Sequence, residues 1–137
     1  MEINLHIESK KLDKNLKLAI DEYVKRTSPY CRINIKLYKS FEKLTTKTGS
    51  KAYLVIPGSN STSSPGLAQL ISQLNIQGYS CIEFIIPNSE ALVDINSNNL
   101  EAFNLSSFTM SPDLTTVVLT EQLYRAYTIM NNITYHK

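Results

Sequence analysis

Cysteine and histidine are scarce in this chain of 137 residues, with two of each. Cys31 and Cys81 lie far apart and fit no metal-ligand spacing, so the thiols read as reduced and inert rather than as a disulfide or a metal site. His6 stands in a strand-like stretch with no second ligand-type residue nearby, which makes it a strand residue rather than a metal ligand. No run approaches the roughly 20 apolar residues of a membrane span, so no membrane partner is expected. The opening M-E-I-N-L-H-I-E has no basic region followed by a long apolar one, so no signal peptide is expected, and the reading is of a cytoplasmic protein. Basic residues almost vanish after residue 51: the first 51 residues hold twelve Lys/Arg against six Asp/Glu, the remainder two against six. Such asymmetry suits either an anionic partner for the first half or a solvated basic face.

A hydrophobic content of 42% is enough for a core, and the length suits a single domain over residues 1–137. Ile3, Leu5 and Ile7 alternate with Asn4 and His6, which predicts a first strand. Leu12, Leu16, Ala19, Ile20, Tyr23 and Val24 follow helical spacing, with Lys14, Lys17, Asp21 and Lys25 opposite. That helix ends at Thr27-Ser28-Pro29, because the residue before proline avoids helical angles. Ile33, Ile35 and Leu37 alternate as a second strand. In K-S-F-E-K-L-T-T-K-T-G-S-K, Lys39, Lys43, Lys47 and Lys51 recur every four residues and would form one positive ridge on a helix. The threonines and Gly49 argue against a stable helix, so a basic loop is expected.

Ala52 to Ile56 reads as a buried strand stopped by Pro57-Gly58. Ser64 before Pro65 reads as an N-cap, Leu67, Leu70, Ile71 and Leu74 as the buried face of the helix, and Gly78 as its C-terminal cap. Cys81 to Ile86 is a further strand broken by Pro87. Ser89 is placed to cap a short helix from Glu90 through Ile95, and Phe103 with Leu105 suits a last short strand. Five strands alternating with about four helices predict an α/β domain with a largely parallel sheet. Ligands of such sheets sit beyond the carboxyl ends of the strands, which singles out the loops Pro57–Ser64, Pro87–Ala91 and Leu105–Thr116.

The last stretch, Asp113 to Lys137, is read as a helix capped by Asp113 after Pro112, followed by a short tail from Ile133. Leu119, Leu123, Ala126, Tyr127 and Met130 share one face, and Leu114, Val117, Val118 and Tyr124 widen it. A helix this apolar is covered on more than one side: it threads the core, forms a subunit interface, or both.

The run V-V-L-T-E-Q-L-Y-R-A-Y with its terminal Y-H-K resembles the C-terminal signature of the SPOUT-type methyltransferases that modify a pseudouridine at N3 in large-subunit ribosomal RNA. Three further segments are similar in order and spacing: I-N-L-H-I with the helix ending E-Y-V-K-R and the P-Y after it, S-S-P-G-L-A-Q at 63–69, and the strand before Pro87. The resemblance spans nearly the whole chain. It implies a SPOUT-type sheet with a C-terminal trefoil knot, and a homodimer built partly on the last helix with its active sites at the dimer interface. It also implies an S-adenosylmethionine pocket at Leu54, Gly58, Pro87, Leu105, Ser106, Ser107, Phe108, Thr109 and Met110. The tail Tyr135-His136-Lys137 would be the catalytic segment that reaches the target nucleotide. Glu121, Tyr124 and Arg125 match the family's E-Q-x-Y-R-A and read as an ion pair beside an aromatic. Arg125 joins Lys39, Lys43, Lys47 and Lys51 as candidate RNA contacts.

Against the family pattern Ile-Gly-Gly followed by Gly-Leu, this chain has Ile86-Pro87-Asn88-Ser89-Glu90-Ala91-Leu92. Pro87 has no N–H and carries a ring, and a lost donor to a buried ligand group costs about 1–3 kcal/mol. The family's Gly-Lys is Gly58-Ser59 here. Its Phe-Pro-His and the arginine after it are replaced by Met110-Ser111-Pro112-Asp113 and Thr116. These departures lead to the expectation of a degenerate member with no cofactor, acting on ribosomal RNA or the ribosome as a homodimer. Two other readings stand beside it. One is an active S-adenosylmethionine-dependent methyltransferase with an altered pocket. The other is an interaction protein that forms a heterodimer with an active family member.

Overall fold

The computed structural model describes residues 1–88 and 100–135. Five parallel strands, β1 (Glu2–Glu8), β2 (Arg32–Tyr38), β3 (Lys51–Val55), β4 (Cys81–Ile86) and β5 (Glu101–Phe103), form one sheet in the order β2-β1-β4-β3-β5. Three α-helices are described: α1 (Lys14–Thr27), α2 (Ser64–Ile76) and α3 (Pro112–Met130). The predicted helix from Glu90 through Ile95, and Ser89 as its cap, lie outside the described residues. Each crossover, β1 to β2 through α1 and β3 to β4 through α2, steps one strand toward the same edge. Right-handed crossovers therefore put α1 and α2 on the same face. Helix α3 packs against both and against the sheet, so its wide apolar surface is used for threading the core.

The alternation read in the sequence sorts the two faces. Ile3, Leu5, Ile7, Ile33, Ile82, Phe84 and Ile86 face the helices and join Ile20, Leu67, Ile71, Leu119 and Leu123 in a single apolar cluster. The opposite face of β1 and β4 carries Asn4, His6 and Glu83, all buried. A single 3-10 turn, Phe41–Lys43, and extended chain replace any continuous helix over 39–51, so the four lysines form no helical ridge.

Several boundaries differ from expectation. Helix α3 is capped by Ser111, whose side chain accepts from the Leu114 amide; Pro112 is its first residue and Asp113 lies in the first turn. Asp113 instead accepts from the backbone N–H of Asp13, which itself caps α1. Helix α2 is capped by Ser63, one residue ahead of Ser64. Strand β5 ends at Phe103, before Leu105, because the side-chain amide of Asn104 takes the Ile56 carbonyl at 3.0 Å where the ladder would continue. Gly78, at φ +95°, follows α2 in the left-handed conformation expected of a C-terminal cap.

Candidate functional site

Because the sheet is parallel, the carboxyl ends of all five strands meet at one edge, and a cleft of about 350 Å³ opens there. Its walls come from the ends of β3 (Val55, Ile56, Pro57) and β4 (Ile86, Pro87, Asn88). The segment after β5 and Thr115 near the start of α3 complete them. Of the nine expected pocket residues, Pro87, Leu105, Ser106, Phe108, Thr109 and Met110 line the cleft. Leu54, Gly58 and Ser107 are not among the described lining residues. Leu54 is half-buried within β3, in register with Ile85 and Ala102. None of the described lining residues is charged.

Four backbone donors at this edge are committed to the protein itself. The Gly58 N–H donates to the Ser106 carbonyl at 3.1 Å, and the Thr62 N–H to the Asn104 carbonyl at 2.9 Å. The Phe108 N–H donates to Oγ of Ser106 at 2.9 Å. At the end of β4, Pro87 has no N–H, and the Asn88 N–H donates to a carboxylate oxygen of Glu8 at 2.9 Å. Glu8 escaped notice in the sequence, although its place at the carboxyl end of the neighbouring strand sets it beside that loop. Asn104 was missed as well: it fills the space that the absent Cβ of Gly58 leaves, its amide atoms about 2.4–2.5 Å from where such a carbon would lie. Thr116, at the family's arginine position, is fully buried and donates to the Pro112 carbonyl at 2.7 Å.

The C-terminal candidates gather elsewhere. Arg125 donates to Glu121 at 3.0 Å, and its guanidinium lies 5.2 Å from the ring centre of Tyr135. Tyr135 meets the Tyr124 ring edge-on at 4.9 Å, and Tyr124 in turn packs against Tyr23 of α1. Burial, followed by hydrogen bonding to Tyr23 and Glu121, raises the Tyr135 hydroxyl well above the ordinary phenol range. Tyr124 is nine residues beyond Thr115, which at 1.5 Å per residue puts this cluster ~13 Å along α3 from the cleft wall. His136 and Lys137 lie outside the described residues.

Among the basic candidates, Lys47 pairs with Glu2 and Lys51 with Glu101, whereas Lys39 and Lys43 are exposed and form no ion pair with a described residue. Cys31 and Cys81 are free and buried, and burial pushes both thiols up to about 11. Among the described residues no group of three His, Cys, Asp or Glu is arranged to hold a metal ion, and no helix is long and apolar enough to cross a membrane.

Comparison with known proteins agrees with this architecture. The family described as "Predicted SPOUT methyltransferase" matches residues 1–136. A protein of Thermoanaerobacter sp. (strain X514) named ribosomal RNA large subunit methyltransferase H 1 is 34% identical over 139 residues, covering all of both chains. Proteins named ribosomal RNA large subunit methyltransferase H from Finegoldia magna and Clostridium novyi are 32% and 34% identical, again over the full length of both chains.

Proposed function

The chain belongs to the SPOUT methyltransferase family, and from that membership we propose that it is a degenerate member, a pseudoenzyme that binds ribosomal RNA or the ribosome without using S-adenosylmethionine. The observation that carries this reading is the end of β4, where Pro87 offers no donor and the Asn88 N–H is held by Glu8. S-adenosylmethionine brings a cationic sulfonium, an amino-acid end and a purine with several hydrogen-bonding edges. A volume of about 350 Å³ falls within the roughly 300–1,000 Å³ of small-molecule sites, but the lining fits this cofactor poorly. Its described residues are uncharged, and the amides of Gly58, Thr62, Phe108 and Asn88 are bonded within the protein. A buried ligand group left without its partner costs about 1–3 kcal/mol, and each missing donor adds a cost of that order. The scaffold, the Glu121–Arg125 pair and the aromatic tail remain, which suits a protein that keeps RNA contact after losing the transfer step.

The same reading includes the C-terminal knot, a homodimer resting partly on α3, and a cytoplasmic location. Tyr135 is packed against Tyr124 and Arg125, which supports a reading in which the tail serves a site on a second chain. That second chain is this protein in the homodimer, or an active family member in a heterodimer. A retained methyltransferase activity is favoured by one observation, the persistence of a cleft at the place where the family holds its cofactor.

Calorimetric titration with S-adenosylmethionine, paired with filter binding to protein-free large-subunit ribosomal RNA, tests the proposal. RNA binding without cofactor heat is the expected result. A dissociation constant for S-adenosylmethionine in the low micromolar range overturns it in favour of the enzyme, and absence of RNA binding favours the protein-partner reading.

A further inference from the structure

The two halves of the lysine run have different fates. Lys47 and Lys51 are neutralised by Glu2 and Glu101, leaving Lys39 and Lys43 at the other end of the segment. In the chain these follow two further cations inside β2. Arg32 and Lys36 are both exposed and four residues apart, so they project from the same side of the strand. Strand β2 is an outer strand of the sheet, with β1 on one side only. At ~3.3 Å per residue its seven residues span ~20 Å, and Lys39 and Lys43 follow directly in the chain, Lys43 within the 3-10 turn. None of the four cations closes an ion pair with a described residue. Glu2 lies in register with Arg32 but is held by Lys47, and Glu42 is the one acid in the chain between Arg32 and Lys43. Two aromatics sit between the cations: Tyr38 and Phe41 meet edge-on at 5.6 Å, both half-buried.

We propose that this free edge, Arg32, Lys36, Lys39 and Lys43, is the surface that binds the sugar–phosphate backbone of RNA. The proposal rests on the RNA-binding reading above and assigns it a place. Cations that close no ion pair with a described residue match a polyanion, and binding releases counterions from the RNA. Lysines on an outer strand also serve as guards against edge-to-edge pairing of sheets. That role accounts for Lys36. It does not account for Lys39 and Lys43, which lie beyond the last residue of β2, where no ladder remains to be guarded.

The test is binding of protein-free large-subunit ribosomal RNA at a series of potassium chloride concentrations. The set Arg32→Gln, Lys36→Gln, Lys39→Gln and Lys43→Gln is expected to flatten the log–log salt slope by up to about 3–4 units, taking about 0.7–0.9 per phosphate contact. Lys47→Gln with Lys51→Gln is expected to leave the slope unchanged, and arginine at positions 36, 39 and 43 to preserve binding. If the fourfold variant melts below the native protein, Lys39→Gln and Lys43→Gln singly, both outside the sheet, each reduce the slope by about 0.7–0.9. A folded fourfold variant with the native slope overturns the assignment while the RNA-binding reading stands. Aggregation of that variant with unchanged RNA binding assigns these cations to edge protection instead. Failure of the native protein to bind the RNA, with binding to anionic lipid vesicles, overturns both.

Discussion

Oε1 of Glu83 lies 3.2 Å from Nε2 of His6, with both residues fully buried on the face of the sheet turned away from the three helices. Asn4 donates to the same oxygen at 3.1 Å, while the Lys47 amide and the Ser50 hydroxyl donate to the other. The far side of the imidazole meets the Tyr38 hydroxyl at 2.7 Å. An imidazole with its proton on Nε2 satisfies both contacts, donating to Glu83 and accepting from Tyr38. One carboxylate thus joins two central strands to the basic segment that crosses them. Buried polar groups are tolerated when each has its partner, and costly when one is removed.

Glu83→Ala strips partners from His6, Asn4, Ser50 and the Lys47 amide at once, and is expected to cost about 3–5 kcal/mol. Glu83→Gln, which keeps an acceptor, is expected to cost less. Urea unfolding of the two variants checks the order. A loss below about 1 kcal/mol for alanine, the scale of an exposed pair, contradicts a closed network.

The pH dependence has a definite sign. Burial raises the Glu83 carboxyl, but hydrogen bonds from His6, Ser50 and Asn4 outweigh it and leave the pKa below its ordinary 4.5. The folded state then binds the proton less readily than the unfolded chain. The stabilisation is complete above the unfolded value and is lost as pH falls through the lower folded value. Urea midpoints followed from neutral pH into acid should fall more steeply for the native protein than for Glu83→Gln, with the two curves converging below pH 4.5. Parallel curves remove Glu83 from the account.

At the cleft, Pro87→Gly with Asn88→Gly is expected to leave RNA affinity unchanged, since it alters only the ligand slot. Adding Glu8→Ala frees the amide that Glu8 now holds. One recovered donor of about 1–3 kcal/mol corresponds to roughly 5- to 150-fold tighter binding of S-adenosylmethionine relative to the double variant. Calorimetry on the triple variant reads this directly, and no gain places the obstacle elsewhere in the lining.

Val118 is half-buried on α3, beside the exposed Leu114, and Val118→Asp is expected to give monomers or misfolded protein. Sedimentation of the native chain at micromolar concentration should show a dimer. A native monomer sinks the proposal that α3 forms a subunit interface as well as threading the core.

The alternating patterns of Ile3-Leu5-Ile7 and Ile33-Ile35-Leu37 made the strands legible, because successive side chains of a strand go to opposite faces and an apolar–polar alternation records that directly. Most pocket-lining positions after β5 were reached through family resemblance; periodicity is silent there, because a loop has no repeating face. The polar layer was not read at all. Its trace was present: Asn4 and His6 point away from the core in β1, and Glu83 interrupts the otherwise apolar C-I-E-F-I-I. Pairing them requires knowing that β1 and β4 are neighbours, which sequence order hides. The lysine run shows the same limit. A spacing of four suggested one ridge, whereas long-range partners, Glu2 and Glu101, decided which lysines remain unpaired.

The junction of Gly58 with Asn104 gives the sharpest packing test. Here the requirement for glycine comes from close approach: a methyl at residue 58 would sit 2.4 Å from the Asn104 Oδ1, well inside contact distance. Asn104 cannot move without loss, because its side-chain amide holds the Ile56 carbonyl and its own carbonyl holds the Thr62 amide. Gly58→Ala is therefore expected to cost about 1–3 kcal/mol, the range for overpacking a well-filled site. Asn104→Ala removes the obstructing atoms along with the Ile56 bond. In that background Gly58→Ala should cost little, so the double-mutant cycle should return a coupling of about 0.5–3 kcal/mol. Additive losses would mean that the glycine answers to something other than Asn104. Coupling would identify this pair as the clamp that fixes the loops after β3 and β5 against each other at the mouth of the cleft.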